Sequence, residues 1–180
     1  MVQFLKLKTK NDLSKLQFNS GNDTLDNFLL NESKDYIKEG YSQVYLLREK
    51  SKNIIIGFFA LSCGYLAFRK SLKVKREKHI PSVLIGRLAI DQNYQNQGYG
   101  TDLVKKAINI SLKVAQRVGC RMVIVDARTN LKILRFYKKL RFKYLIKNNG
   151  EKIERALLRS HAPSESTVTM YFDLNYIRKF

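Results

Sequence analysis

Tryptophan is absent from this chain of 180 residues, and proline, cysteine and histidine occur only twice each. Cys63 and Cys120 stand far apart, each in an apolar stretch. Both are expected to be buried free thiols, which excludes a disulfide scaffold. Neither His79 nor His161 has a partner at ligand spacing, so no metal is expected. No apolar run approaches the roughly 20 residues that span a bilayer, and no membrane partner is expected. The N-terminal Met1-Val2-Gln3-Phe4-Leu5-Lys6 lacks the charged-then-apolar order of a signal peptide, which implies a cytoplasmic protein. What remains is ordinary for a globular protein, 44% hydrophobic and 27% charged. The length suits one domain over residues 1–180.

Acids are also scarce. Lys and Arg number 34 against 15 Asp and Glu, a net charge of +19. The excess is uneven: residues 1–50 hold 8 bases and 7 acids, and residues 51–180 hold 26 and 8. Such a field attracts polyanions and steers them over long range. A lysine-rich proteome would colour a surface in the same way. Charge alone leaves tRNA, DNA, an acidic protein and coenzyme A equally open.

Strands are predicted over Phe4–Lys8, Ser42–Leu47 and Ile54–Leu66, the last with a break at Gly64. A short helical piece is expected over Asn11–Leu16. Asn22 or Asp23 caps a longer helix whose apolar face is Leu25, Phe28, Leu29, Tyr36 and Ile37, and Gly40 stops it. A basic connection runs from Arg69 to Lys78. Pro81 ends it, at the start of a strand over Ser82–Ile90. A helix follows over Gly100–Val118, then a strand over Arg121–Ala127 and a helix over Asn130–Leu140. Phe142–Ile146 and Thr167–Phe172 read as a terminal antiparallel pair. The polar stretch Asn148–Ser166 gives no clear signal. Hairpins in the first half and alternating strands and helices in the second imply an α/β fold.

The densest signal is Leu88-Ala89-Ile90-Asp91 followed by Gln95-Asn96-Gln97-Gly98-Tyr99-Gly100-Thr101. An apolar strand runs into a polar loop with two glycines, and the loop opens a helix. Free backbone N–H groups and the positive end of the helix dipole then face one spot, where a phosphate can sit. A Rossmann loop needs a third glycine in register and a later acid, and neither is present. A Walker loop needs Gly-Lys-Ser/Thr, also missing.

The loop resembles the acyl-coenzyme-A pyrophosphate loop of the GNAT acetyltransferase family. The family pattern is Gln or Arg, two variable residues, Gly, one variable residue, then Gly or Ala; Gln95, Gly98 and Gly100 match it. Many members have a further glycine where this chain has Asn96, and asparagine tolerates left-handed backbone angles. The resemblance implies a mixed, mostly antiparallel sheet of six to seven strands, with helices on both faces and a central splayed strand pair. It implies acetyl-CoA as cosubstrate, held by Leu88, Ala89, Ile90, the loop from Gln95 to Thr101, Asn130 and Tyr137. The N–H of Leu88 or Ala89 would polarise the thioester carbonyl. Tyr137 occupies the family position of the acid that protonates the leaving thiolate, with Arg135 or Lys138 as helpful cations. An alternative for Asn130 is a plain helix N-cap, and for Tyr137 a core aromatic. Asp91 and Asp126 are candidate bases, although capping or arginine pairing suits them better. Asp126 is the expected partner of Arg87 if that arginine is structural.

Phe18-Asn19-Ser20-Gly21-Asn22-Asp23-Thr24-Leu25-Asp26-Asn27-Phe28-Leu29, together with Arg87 before Leu88-Ala89, is similar to the acetyltransferase toxins of bacterial toxin–antitoxin pairs. That branch acetylates the α-amino group of aminoacyl-tRNA, and its partners are ribbon-helix-helix antitoxins; a homodimer is also implied. Arg87, Arg69, Lys70, Lys73, Lys75, Arg76, Lys78, Lys138 and Lys139 are then the tRNA-binding candidates. Two other readings are an acetyltransferase for a small or protein amine, and a non-catalytic acetyl-CoA sensor or nucleic-acid-binding module.

Overall fold

A computed structural model describes residues 1–13, 16–51, 54–67, 79–158 and 166–178. The strands are β1 (Val2–Lys6), β2 (Gln43–Glu49), β3 (Ile54–Ala67), β4 (His79–Ile90), β5 (Met122–Arg128), β6 (Lys143–Tyr144) and β7 (Thr167–Asp173). The helices are α1 (Asp23–Asn27), α2 (Ser33–Lys38), α3 (Tyr99–Val118), α4 (Leu131–Lys139), α5 (Lys147–Leu158) and α6 (Asn175–Arg178). The strands form one seven-stranded mixed sheet in the order β1-β2-β3-β4-β5-β7-β6. The β1–β2, β2–β3, β5–β7 and β6–β7 pairs are antiparallel, and β4–β5 is parallel. The parallel register joins Ser82–Leu84 to Met122–Ile124, and both strands run on beyond it.

The chain divides into two units. The first comprises Met1–Ser62 and Ile85–Ile110. Its core gathers Leu7, Phe18, Phe28, Leu29, Val44, Leu46, Ile55, Phe58 and Ala89. Phe58 meets Phe18 edge-on at 5.6 Å and stacks near Phe28 at 6.0 Å. Asn22 caps α1 by accepting from the Leu25 N–H at 3.1 Å, as the sequence implies, and Gly40 stops α2 at φ +74°. The expected single helix is interrupted by a π turn over Phe28–Glu32, in which the Ser33 N–H donates to the Phe28 carbonyl five residues back. The second unit comprises Cys63–Leu84 and Ser111–Phe180. Its core includes Leu66, Ile80, Met122 and Ile124, with Leu84, Leu145 and Tyr171 against them.

Several expectations need correction. The first strand lies two residues earlier than predicted. No helix forms in the described part of Asn11–Leu16: the Asn11 side chain accepts from the Lys8 N–H at 2.7 Å and holds a turn instead. Ser14 and Lys15 lie outside the described residues. The β3 strand passes through Gly64 unbroken. Cys120 is buried, but Cys63 is exposed: past Leu61 the strand alternates, and Cys63, Tyr65 and Ala67 share its open side. Pro81 lies inside β4 rather than at its start. Its side chain is exposed, and its carbonyl still accepts from the Arg121 N–H at 2.9 Å. The β6 strand keeps only two residues, and α5 fills part of the stretch that gave no signal. Arg69, Lys70, Lys73, Lys75, Arg76 and Lys78 lie outside the described residues.

Gly57 and Gly64 are opposite cases of glycine in a strand. A Cβ on Gly57 would lie 2.7 Å from the Ala89 carbonyl oxygen and 2.6 Å from Ile90 Cδ1. A Cβ on Gly64 would make ordinary contacts at 3.4 Å with Ile124 and Leu84. Gly57→Ala is expected to destabilise the protein by about 1–3 kcal/mol through overpacking, and Gly64→Ala by less than about 0.5 kcal/mol. Urea denaturation of both variants checks the contrast, and equal midpoints would contradict it.

Candidate active site

In the first unit, β4 leads through Asp91 and a 3-10 turn over Gln92–Tyr94 into the glycine loop and α3. Asp91 is buried and fully engaged. One carboxylate oxygen accepts from the Asn19 N–H at 3.0 Å, and the other from the Asn93 N–H at 3.0 Å and Asn93 Nδ2 at 3.1 Å. Its own N–H donates to the Ile56 carbonyl at 2.9 Å. Asp91 is thus a brace rather than a base. Gln95 has a similar task. Its Nε2 donates to the carbonyls of Ser20 at 3.0 Å and Ile90 at 3.1 Å, so the side chain ties loop to strand instead of facing a ligand. Gln97 Nε2 donates to the Asn93 carbonyl at 2.9 Å.

These ties fix the backbone beyond them. Asn96 takes φ +61°, the left-handed conformation that asparagine was expected to tolerate. Gly98 takes φ +92°, and a Cβ there would meet nothing within 4 Å. Glycine is needed at that position for the angle, and the space above it stays open to a ligand. The Gly98 carbonyl accepts from the Thr101 N–H at 2.9 Å and the Asp102 N–H at 3.3 Å, which starts α3. Among the described residues, nothing accepts from the N–H groups of Gly98, Tyr99 and Gly100. Three donors at the positive end of a 20-residue helix suit a diphosphate, so the loop fits coenzyme A.

The segment Asn19–Asp26 also belongs here, and sequence reasoning gave it no part in the site. The Gln92 N–H donates to the Asn19 carbonyl at 2.8 Å. Asp26 accepts from the Ser20 N–H at 3.0 Å and the Ser20 hydroxyl at 2.5 Å. Gly21 adopts φ +78° under the Gln92 side chain, where a Cβ would collide with its amide. The signal was the Phe-Asn-Ser-Gly…Leu-Asp pattern itself, which had been read only as a mark of family branch.

In the second unit, Asn130 caps α4, its oxygen accepting from the N–H groups of Lys132 at 2.9 Å and Ile133 at 3.4 Å. Tyr137 is 8% exposed and packs edge-on against Phe142 at 5.3 Å and Phe136 at 5.1 Å. Burial pushes its phenol up to about 12, and the expected help from Arg135 and Lys138 is not what sets it. Lys138 is instead paired with Glu154 at 2.9 Å, and Glu154 also accepts from the Tyr144 hydroxyl. Burial works against the charge on Glu154. The hydrogen bonds from Tyr144 and Lys138 and the charges of Lys138 and Arg135 outweigh it, and they hold the carboxyl below its usual range. Lys139 is exposed. Asp126 accepts from the Thr169 hydroxyl at 2.7 Å.

Arg87, in the first unit, lies over the Phe28 ring at 3.8 Å and the Tyr36 ring at 4.8 Å. Leu88, Ala89 and Ile90 follow it as the last residues of β4, with Ala89 buried.

Comparison with protein families matches an acetyltransferase (GNAT) domain over residues 40–144. The chain belongs to the GNAT acetyltransferase family. It is an acetyl-CoA-dependent acyltransferase by that membership. A tRNA-acetylating toxin of Mycobacterium tuberculosis (strain ATCC 25618 / H37Rv) is 29% identical over 113 residues, 61% of this chain and 67% of that protein. The structure of AtaT complexed with acetyl-methionyl-tRNAfMet superposes with TM-score 0.78 at 26% identity, covering 99% of this chain and 98% of that one. A tyrosine-to-phenylalanine mutant of AtaT bound to the C-terminus of the antitoxin AtaR and acetyl-CoA gives TM-score 0.74 at 25% identity, covering 99% and 96%. Among the described residues, no helix is long and apolar enough to cross a membrane.

The loop geometry separates two substitutions that look alike. Gly98→Val forces a β-branched residue into φ +92°, and acetyl-CoA affinity is expected to fall at least about tenfold. Asn96→Gly relieves a left-handed asparagine and should leave affinity within about twofold of wild type. Calorimetric titration with acetyl-CoA measures both.

Proposed function

We propose that residues 1–180 act as one domain that moves the acetyl group of acetyl-CoA to the α-amino group of aminoacyl-tRNA, as a translation-blocking cytoplasmic toxin. The observation that carries this is the braced glycine loop, with three donors left for a diphosphate, in a chain similar to tRNA-acetylating relatives. In this reading Gly98, Tyr99 and Gly100 hold the pyrophosphate by their N–H groups, and the backbone of Leu88–Ile90 pairs with the pantetheine arm. The Leu88 or Ala89 N–H polarises the thioester carbonyl. The neutral amine attacks the carbonyl carbon. A C–N bond forms, the C–S bond breaks, the sulfur takes the Tyr137 proton, and the nitrogen loses its extra proton to water.

Tyr137 near 12 and a free thiol near 8.5 would leave that transfer uphill by about 5 kcal/mol in water. Burial also raises a thiol's pKa, so the gap narrows where both are out of water. The same burial keeps the phenol protonated throughout the physiological range. A ribbon-helix-helix antitoxin is the proposed partner, by likeness to the AtaT complex with its antitoxin. A homodimer is proposed on the family likeness alone. The basic segment from Arg69 to Lys78 supplies, in sequence, six cations against one acid for contact with RNA phosphates.

Incubation with labelled acetyl-CoA and charged total tRNA tests the acceptor. Label is expected on amino acids released by mild base. Label on protein lysines or polyamines alone, with none on tRNA, would reject the reading.

Tyr137→Phe is expected to lower kcat by about 10²–10⁴-fold while leaving acetyl-CoA affinity unchanged. The pH profile gives an independent check. Measured with a base-stable amide-linked aminoacyl acceptor, the rate should rise as the α-amine loses its proton near pH 8, then stay level past pH 10, because the raised phenol ionises only near 12. A fall in rate centred at pH 10 or below would remove Tyr137 from the acid role.

A further inference from the structure

We infer that Arg87, stacked in an aromatic clamp formed by Phe28 and Tyr36, is a phosphate-binding residue for the RNA acceptor. The inference rests on the aminoacyl-tRNA reading and gives it a specific contact. All three residues lie in the first unit, and Arg87 immediately precedes the Leu88–Ala89 backbone assigned to the thioester.

The clamp depends on an irregularity in the helix. Phe28 and Tyr36 are eight residues apart. In an unbroken α-helix that spacing rotates them about 80° away from each other. The π turn over Phe28–Glu32 absorbs one extra residue and brings them back to one face. Their rings meet edge-on with centroids 5.2 Å apart. The Arg87 guanidinium carbon then sits 3.8 Å from the Phe28 centroid and 4.8 Å from that of Tyr36. Phe28 is fully buried, so the ring that carries the charge cannot swing away.

What the guanidinium lacks is an anion. Among the described residues no carboxylate lies within ion-pair distance of Arg87. Its one hydrogen bond goes to the Tyr36 hydroxyl at 3.4 Å, which is long and neutral. Stacking covers the flat face of the group and leaves its in-plane N–H fork for a ligand. A planar fork on a fixed cation matches two oxygens of a phosphodiester, held bidentately. Phe28 and Tyr36 are positioning residues in this account, because they act through Arg87.

Filter binding of uncharged tRNA across a salt series tests the assignment. Arg87→Gln is expected to weaken binding about tenfold or more and to reduce the slope of log affinity against log salt by about one phosphate contact. Arg87→Lys keeps the charge and loses the fork, so the slope should persist while affinity drops. Tyr36→Leu should do the same, because the charge stays while one of its two rings and its hydrogen bond go. Unchanged melting temperature and acetyl-CoA affinity would show that each variant is folded. A wild-type slope in Arg87→Gln, or a matching loss of acetyl-CoA affinity, would overturn the assignment. Salt-insensitive tRNA binding by the wild type would instead overturn the aminoacyl-tRNA reading itself.

Discussion

The buried Asp91 carboxylate is the contact on which the cofactor loop depends. It stands where β4 ends, and it takes N–H donors from Asn19 on one side and Asn93 on the other. A buried carboxylate must be satisfied by such donors or carry a large desolvation cost. The chain therefore has to bring the 19–26 segment against the loop to satisfy it. Gln95 adds a second tie from the loop to Ile90 and Ser20. With Gln95 and Gln97 committed, what the loop offers a ligand is the backbone N–H groups of Gly98, Tyr99 and Gly100. That is what a diphosphate requires, since amide hydrogens approach closely and need no reorganisation when the ligand arrives.

Much of this could be read from the sequence because it is local. A glycine forced to positive φ, an asparagine cap and a strand running into a helix are each written within about four residues. Asn22, Gly40 and the left-handed Asn96 all stand as local reasoning expects. The family pattern at Gln95, Gly98 and Gly100 pointed to the loop's proposed ligand for the same reason.

The features that escaped are set by distant contacts or by a broken period. Gln95 matched the family pattern, but its partner Ser20 is 75 residues away. Arg87 was read as a tRNA-binding candidate, but its neighbours, the Phe28 and Tyr36 rings, are aligned by a π turn that no periodicity shows. The α5 helix has a weakly apolar sequence, and what the structure gives it is an ion pair with Lys138 and a hydrogen bond from Tyr144. Cys63 was judged by its apolar neighbours, and strand alternation placed it on the open side. Tyr137 was expected to feel the cations beside it in sequence, yet burial dominates.

The fate of the acids bears on which amine is acetylated. Asp91 and Asp126, the two carboxylates that sequence reasoning offered as bases, are engaged as a brace and as the acceptor of the Thr169 hydroxyl. With both of these carboxylates engaged, the proposed chemistry suits an acceptor that arrives already neutral. For a lysine near 10.4 at pH 7.4, losing the proton costs about 4 kcal/mol; for an α-amine near 8 it costs less than about 1 kcal/mol. The difference is more than a hundredfold in reactive amine. The proposed mechanism, in which the thioester is polarised and one proton is supplied but none is taken from the nucleophile by a side chain, is thus matched to an α-amine. An aminoacyl ester, whose amine is more acidic still, fits that chemistry better than a protein lysine or a polyamine, and it brings the phosphates that a chain of net charge +19 attracts.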